Sequence, residues 1–287
     1  ECLEHTMCGA DRPMPKPLNE FICGQQIQFV IPVYQRNYDW LQDNCDQLLS
    51  DLVKLIHSGR TSHFFGSIVT SVAGTGFSRL VIDGQQRLTT ISLLLLAGIK
   101  AVNDGLLEIS NESRKDEAYD LFLNAKYCNS ERKIKLVPIE NDRIAYDKIF
   151  NAEDELDEDS KITRNFRHFY DKLTRKPQQL TFDNLLDAVE HLQIISIELD
   201  AADDAQLIFE SLNSTGLALT EADKIRNYLL MSLTAEEQQL CFKNYWQKIE
   251  SATEYNPTKF LRDYLTIKQQ LQRPVRLSNI YFEWKKY

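Results

Sequence analysis

Residues 81–96, Val-Ile-Asp-Gly-Gln-Gln-Arg-Leu-Thr-Thr-Ile-Ser-Leu-Leu-Leu-Leu, place a short polar segment between two apolar ones. The apolar residues 80–82 are typical of the end of a buried strand. The apolar run from Leu88 to Ala97 predicts a helix that is covered over most of its surface. The polar segment therefore lies at a predicted helix N-terminus. This polar pentad consists of Asp83, Gly84, Gln85, Gln86 and Arg87.

Two interpretations fit the polar pentad. A helix N-terminus gathers unpaired backbone N–H groups and the positive end of the helix dipole, so it favours phosphate. In that case Gly84 lets a ligand approach the backbone, Arg87 binds phosphate, and Asp83 holds Mg²⁺ directly or through water. The alternative is structural, because Asp83 followed three residues later by Gln86 also fits a capping box.

The remaining pattern predicts strands, helices and a tail. Residues 1–17 contain three prolines and no apolar period, so we expect a tail there. Strands are predicted at 27–33, 64–72, 77–82, 134–137 and 192–199; the second and third form a hairpin, and the last returns to the first sheet. Helices are predicted at 41–56, 85–102, 139–150, 161–174, 182–190, 203–212 and 221–233, with two or three more in the last 50 residues.

Composition describes an ordinary soluble protein. Charged residues make up 26% and hydrophobic residues 43% of the 287 positions. The apolar run 91–99 is too short to cross a bilayer, and we see no secretion signal, so we expect a cytoplasmic protein with no membrane partner. The six cysteines are expected to be reduced, and the five histidines show no zinc-ligand spacing.

The charge distribution limits where the chain can contact DNA. A net charge of −9 argues against a general attraction to nucleic acid, so any DNA contact must be local. The acidic run 153–159 is predicted to be a solvated loop. Cations between 161 and 176 lie opposite a predicted apolar stripe, and their face either contacts phosphates or is exposed to solvent.

Four ordered motifs carry a family resemblance. They are residues 29–40 (FVIPVYQRNYDW), 63–69 (HFFGSIV), 81–96 and 209–228 (FESLNSTGLALTEADKIRNY). Together they resemble the N-terminal domain of GmrSD-type restriction proteins, from about residue 18 to the end of the chain. The resemblance implies an α+β fold: a ParB/sulfiredoxin-like small mixed sheet with helices, followed by a mainly helical region.

The resemblance also implies a division of the chain. We expect a tail at 1–17, a ParB-like nucleotide-binding core at 18–137, a helical region at 138–235 with the returning strand and the FESLNSTG loop, and a helical extension at 236–287. An HNH-type nuclease domain follows in complete members of this family. Since no histidine occurs after His191, we expect that nuclease to be absent from this chain and the chain to be truncated.

The implied function is Mg²⁺-dependent hydrolysis of a nucleoside triphosphate, in the regulatory or sensor region of a type IV restriction system that targets modified phage DNA. Asp83 would hold Mg²⁺ or orient water, Gln85 and Gln86 would hold phosphate oxygens or water, and Arg87 would neutralise charge. The expected nucleotide-binding residues are Gly84, Tyr34, Gln35, Arg36, Asn213 and Gly216, and the expected supporting residues are Asp223, Arg226 and Asn227.

Alternatives remain open at each of these positions. Thr220 and Asp223 also fit a capping box after a simple turn, and residues 34–36 also fit a polar strand end. The main functional alternative is a ParB-like nucleotide switch that clamps DNA without hydrolysis; DNA cleavage by this region itself is a weaker one. Expected partners are a nucleoside triphosphate, modified phage DNA, an HNH-type nuclease domain or subunit, and a second copy of the chain.

Overall fold

The structure, a computed structural model, describes residues 14–73, 77–128, 130–131, 133–175, 180–200, 203, 208 and 219–287. Its contacts separate two units. The first comprises the described residues of Glu1–Ile31 and Tyr38–Ala201, and the second those of Pro32–Asn37 and Ala202–Tyr287. These units are defined by contacts alone, so the functional boundaries expected after residues 137 and 235 stay predictions.

A mixed sheet organises the first unit. Its strands are β1 (Pro15–Pro17), β2 (Gln28–Val30), β3 (His63–Ala73), β4 (Ser78–Asp83), β5 (Leu136–Val137) and β6 (Leu192–Leu199). Their order in the sheet is β1-β6-β3-β4-β2-β5. The pairs β3/β4 and β1/β6 are antiparallel, and the other pairs are parallel. The expected α+β class with a mixed sheet is confirmed.

Two strands differ from the sequence expectation. The predicted return of β6 to the first sheet is confirmed, but its outer neighbour β1 lies inside the predicted tail. Prolines are tolerated there because β1 is an edge strand, where a missing N–H leaves no partner unpaired. The strand predicted at 27–33 ends at Val30. Pro32 donates no hydrogen bond, and its carbonyl accepts the N–H of Gln35 at 3.0 Å, so the chain turns here.

Helices pack against this sheet. They are α1 (Leu18–Ile22), α2 (Gln42–Ser58), α3 (Gln85–Asn103), α4 (Ser113–Ala118) with a π-turn at Tyr119–Leu123, α5 (Glu140–Phe150), α6 (Lys161–Thr174) and α7 (Phe182–Glu190). Leu93, Leu94 and Leu95 are fully buried, which confirms that α3 is covered over most of its surface. Burial of each such leucine contributes about 2 kcal/mol, so α3 is the apolar centre of the unit.

The second unit is helical in its described part. Its helices are α8 (Glu221–Leu230), α9 (Ala235–Cys241) with a π-turn at Phe242–Trp246, α10 (Gln247–Ala252), α11 (Pro257–Lys268) and α12 (Ile280–Lys286). The segments between residues 235 and 252 follow one another without a break, so the last 50 residues lie in three helical stretches, as expected. Positive φ angles at Glu254, Tyr255 and Gln270 separate them. The helix predicted at 203–212 lies outside the described residues. No helix in the described part of the chain is long and apolar enough to span a membrane.

Candidate functional site

The polar pentad joins β4 to α3 without a side-chain cap. Asp83 is the last residue of β4, and the N-cap of α3 is Gly84, with φ 96° and ψ 4°. A glycine offers no side chain, and this end of α3 has no side-chain capping hydrogen bond. The capping-box interpretation of Asp83 and Gln86 is therefore wrong. What remains at this end is a backbone N-terminus of a long helix.

Gly84 is required by the fold itself. Its positive φ is a conformation that other residues adopt at a cost. A Cβ atom at this position would also lie 3.0 Å from Cγ1 of Ile68 on the neighbouring strand β3. The expected role of Gly84, to let a ligand approach the backbone, stays a prediction, since strand packing already accounts for the glycine.

Arg87 packs against β3 at a second glycine, Gly66. Its Nη1 donates to the carbonyl of Ser67 at 2.5 Å and lies 3.5 Å from the carboxylate of Asp83. Gly66 has φ +124°, and a Cβ there would lie 2.8 Å from Nε of Arg87. Gly66 therefore makes room for the guanidinium. Sequence reasoning missed this residue, although a glycine inside a strand pattern is a signal of close approach.

Gln86 has a positioning role. Its Oε1 accepts the backbone N–H groups of Asp39 at 2.8 Å and Trp40 at 3.2 Å. Asp142 accepts the N–H of Tyr38 at 2.6 Å in the same segment. This segment, residues 38–40, is thus fixed by side chains from α3 and α5. The Oε1 atom of Gln86 is occupied by the protein, which differs from its expected role in holding phosphate or water.

Burial changes the acidity of two groups in this network. It raises the pKa of Asp142 to about 6; the carboxylate of Asp39 adds to this rise, while the Tyr38 N–H and the ammonium of Lys161 oppose it. Burial also raises the pKa of the Tyr38 hydroxyl, which shares a hydrogen bond of 2.8 Å with Thr90. The tyrosine therefore stays neutral and serves as a hydrogen-bonding anchor.

Gln85 differs from Gln86 in the hydrogen bonding of its side-chain oxygen. It is the first residue of α3, and its side chain is buried. Its Oε1 atom has no hydrogen-bond partner among the described residues. Such an acceptor costs about 1–3 kcal/mol when it is left unsatisfied, so each instance in a folded protein needs an explanation.

The basic face of α6 is paired with acceptors. Arg164 donates to a backbone carbonyl at 2.6 Å. The ion pairs are Lys161 with Asp39, Arg167 with Glu158, and Lys172 with Asp46; Nε2 of His168 also lies within hydrogen-bond distance of Asp46, at 2.7 Å. This pairing favours the solvent-exposed interpretation of the helix over contact with phosphates. The acidic run 153–159 forms turns and bends, as expected of a loop.

The second unit contains a buried arginine cluster. The guanidinium of Arg226 donates to the carbonyl of Tyr34 at 2.9 Å, to Glu250 at 2.6 Å and to Asp223 at 2.9 Å. The indole N–H of Trp246 also donates to Glu250 at 2.9 Å. The expected supporting residues Asp223 and Arg226 are thus brought together with Tyr34. Sequence reasoning missed Glu250 and Trp246, since only their position in the fold links them to the motif.

The other expected residues are only partly placed. Gln35 is buried in the second unit, and burial raises the pKa of the Tyr34 hydroxyl. Asn227 is buried, and its Oδ1 has no partner among the described residues. The capping box of Thr220 and Asp223 is confirmed. Asn213 and Gly216 lie outside the described residues.

Asp83 is the candidate Mg²⁺ ligand. The described residues contain no group of three or more histidine, cysteine, aspartate or glutamate side chains that could hold a metal ion. Magnesium in phosphate-binding enzymes commonly uses one or two carboxylates together with substrate phosphates. A single carboxylate beside Arg87 therefore fits Mg²⁺ only where a nucleotide supplies further ligands.

A family model matches most of the chain. The family model described as "GmrSD restriction endonuclease, N-terminal domain" matches residues 18–230. This range contains all four sequence motifs but stops before α9. No curated protein matches the chain. The polar pentad, the strand glycine that accommodates Arg87 and the arginine of α8 all lie within the matched range. The chain belongs to the family of N-terminal domains of GmrSD restriction endonucleases.

Proposed function

We propose that the first unit binds a nucleoside triphosphate at the N-terminus of α3 and hydrolyses it in the presence of Mg²⁺. The observation that carries this proposal is the N-terminus itself, where glycine replaces a capping side chain and Arg87 lies one turn away. Backbone N–H groups and the helix dipole attract phosphate at such an end. A 19-residue helix provides this dipole at a fixed place in the core.

Arg87 is the residue proposed to bind phosphate. Both of its polar contacts among the described residues involve Nη1, so Nε and Nη2 keep donors for a ligand. Its contacts with Ser67 and Asp83 also hold the guanidinium in place beforehand. Hydrolysis of a triphosphate depends mainly on such positioning and on neutralising negative charge.

Gln85 is proposed to position the attacking water. Its buried Oε1 needs a hydrogen-bond donor, and a water molecule is the smallest group that supplies one. Mg²⁺, when bound with the nucleotide, would neutralise phosphate charge, and Asp83 would be its protein ligand. Gln86 would contribute indirectly, since it fixes the segment 38–40.

The wider proposal concerns the restriction system. Membership of the GmrSD family supports a role in restriction. We propose that nucleotide hydrolysis regulates cleavage of modified phage DNA in the cytoplasm by an HNH-type nuclease domain or subunit, and that copies of the chain associate. The nucleotide contacts expected of Arg36, Asn213 and Gly216 from the family resemblance stay predictions and do not enter this proposal.

A non-hydrolysing nucleotide switch is the second candidate. The carboxylate of Asp83 already lies 3.5 Å from Arg87, which favours a residue that orients the arginine over one that holds a metal ion. In that case the unit would bind triphosphate and release little phosphate.

Calorimetry and phosphate release test these proposals together. The purified chain is titrated with each of the four ribonucleoside triphosphates, with and without Mg²⁺, and steady-state phosphate release is measured. Binding with turnover supports hydrolysis, whereas binding without turnover supports the switch. Absence of binding to all four contradicts both.

Gln85→Leu sharpens this test. The substitution removes a buried unsatisfied acceptor, so we expect equal or greater stability together with lower turnover and retained nucleotide binding. Gln28→Leu is the matched control, because Gln28 is a buried glutamine whose amide donates to Ile134 at 2.8 Å. The control should lower stability and leave turnover per folded molecule unchanged. Full turnover in Gln85→Leu would remove this residue from the mechanism.

A further inference from the structure

Exposed aromatic rings line the last two helices of the second unit. Phe260 and Tyr264 lie on α11, and Trp284 lies on α12 with Tyr287 directly after it. Their ring centroids follow one another at 6.3, 5.9 and 6.3 Å. We call these four residues the ring ladder. Phe260 and Tyr264 are 43% and 36% exposed, so the rings form a contiguous and partly exposed aromatic patch.

The segment that carries the ring ladder is rich in cations. Residues 257–287 contain seven lysines and arginines but only two acidic residues, in a chain whose net charge is −9. The ammonium of Lys268 lies 5.7 Å from the ring centre of Tyr264. Lys286 lies 3.9 Å from the ring centre of Phe282, which is also exposed. Arg262 pairs with Asp263 and Lys286 with Glu283, and the segment keeps a net charge of +5.

We infer that the ring ladder and the cations beside it bind single-stranded nucleic acid. Bases stack on exposed aromatic rings, and lysine and arginine side chains meet the phosphates between them. Aromatic residues are common in protein interfaces as well, so it is the charge that favours a polyanion: four of the seven cations are lysines, which the centres of protein interfaces lack. The surface lies after residue 230, where the matched family range ends.

A single strand suits the rings better than a duplex. The bases of a double helix are stacked on each other, and their faces are closed to a flat protein surface. Cations alone would still attract a duplex, but that attraction is independent of the rings and depends strongly on salt. Dependence of binding on the rings therefore distinguishes base stacking from general electrostatic attraction.

Fluorescence anisotropy with the full chain tests the inference. The probes are a labelled 20-mer of deoxythymidine, the corresponding oligouridine and a 20-base-pair duplex, each over a salt series. We expect the single strands to bind more tightly than the duplex. Phe260→Ala and Tyr287→Ala should each weaken single-strand binding by roughly 5- to 100-fold, and Tyr287→Phe should keep it. Lys268→Ala should reduce the slope of log affinity against log salt by about 0.7.

Tyr255→Ala and Lys248→Ala are the matched controls. Tyr255 is an exposed tyrosine of the same unit outside the ring ladder, and Lys248 is a lysine of α10. Circular dichroism establishes that all variants fold. Equal losses in the ring variants and in Tyr255→Ala would overturn the inference, as would tighter binding to the duplex.

Two further outcomes also overturn the inference. One is the absence of saturable binding at 50 mM salt. The other is concentration-dependent self-association that Phe260→Ala abolishes, which sedimentation velocity would detect and which would assign the rings to a protein interface. The nucleotide site is proposed in the first unit and is tested by triphosphate turnover, a readout that is independent of the oligonucleotide titrations. Failure of this inference is therefore distinguishable from failure of the proposed nucleotide site.

Discussion

Arg87 and Arg226 were both expected in the functional site, yet the two side chains differ in exposure and in hydrogen bonding. The side chain of Arg226 is 4% exposed, and its Nε, Nη1 and Nη2 atoms each meet a different acceptor. The side chain of Arg87 is 25% exposed, and only its Nη1 has polar partners among the described residues. Arg226 is saturated by the protein, whereas Arg87 keeps donors for a ligand.

This difference separates structure from chemistry within one set of motifs. A buried arginine with a full set of partners holds the chain together, and its removal leaves Glu250 as a buried charge. A partly exposed arginine with remaining donors can recognise phosphate at little structural cost. Three substitutions test this distinction, and a fourth, Asp142→Asn, tests the network that fixes residues 38–40.

Arg226→Ala is expected to have the largest effect. Loss of the guanidinium leaves Glu250 and the Tyr34 carbonyl without their main donor, which should lower the free energy of unfolding by about 3–5 kcal/mol. Urea denaturation followed by circular dichroism measures the change. Arg273→Ala, an exposed arginine of the same unit, is the control and should leave the midpoint unchanged. Full stability of Arg226→Ala would contradict the structural role assigned to Arg226.

Arg87→Ala should strongly lower the rate of triphosphate hydrolysis while the protein stays folded. Loss of one preorganised donor to the phosphates should lower turnover by roughly 100- to 1000-fold. Phosphate release and calorimetry give the two readouts. Arg79→Ala is the control, because Arg79 is an arginine of β4 that pairs with Glu198 at 3.0 Å. Unchanged turnover in Arg87→Ala would remove the phosphate-binding role.

Gly66→Ala tests whether the strand glycine exists for Arg87. The new Cβ meets Nε of Arg87 at 2.8 Å in a backbone conformation that favours glycine, so we expect a loss of about 1–3 kcal/mol and weaker nucleotide binding. Gly59→Ala isolates backbone strain, since Gly59 has φ +63° with nothing within 4 Å of its added Cβ. In an Arg87→Ala background, the cost of Gly66→Ala should shrink. An equal cost in both backgrounds would disprove the coupling.

Asp142→Asn should have the smallest effect, visible mainly as a change in pH dependence. Because burial raises the pKa of Asp142 from 3.8 to about 6, the folded state binds a proton that the unfolded chain releases between these values. The contribution to stability is therefore present below pH 4 and is lost as the pH rises to about 6. The amide keeps an acceptor for the Tyr38 N–H and carries no charge.

We therefore expect Asp142→Asn to be more stable than the wild type by about 1–2 kcal/mol at pH 7 and to lose the slope between pH 4 and 6. Thermal unfolding across that interval measures both. Asp183→Asn is the control, since Asp183 also accepts backbone N–H groups, at 2.7 and 3.2 Å. A wild-type slope in Asp142→Asn would assign the pH dependence to another group.

Local pattern predicted most of the regular structure in the first unit. The bounds of α6, α7 and β6 agree with the sequence expectation, and α3 differs by one residue at its end. Apolar periodicity is a local property, and the elements with the clearest periodicity are the ones that packing leaves unchanged. β1 was missed because its three residues contain two prolines and form a strand only beside β6.

The sequence by itself determined that a polar segment starts a buried helix, and that the chain carries the motifs of its family. It did not distinguish the roles of Gln85 and Gln86, which are adjacent residues of the same type. Tertiary structure decided that Gln86 accepts the N–H groups of Asp39 and Trp40, while the oxygen of Gln85 stays unsatisfied. The physical reason is that a side chain's partners come from segments far away in the chain, and only folding places them within hydrogen-bond distance.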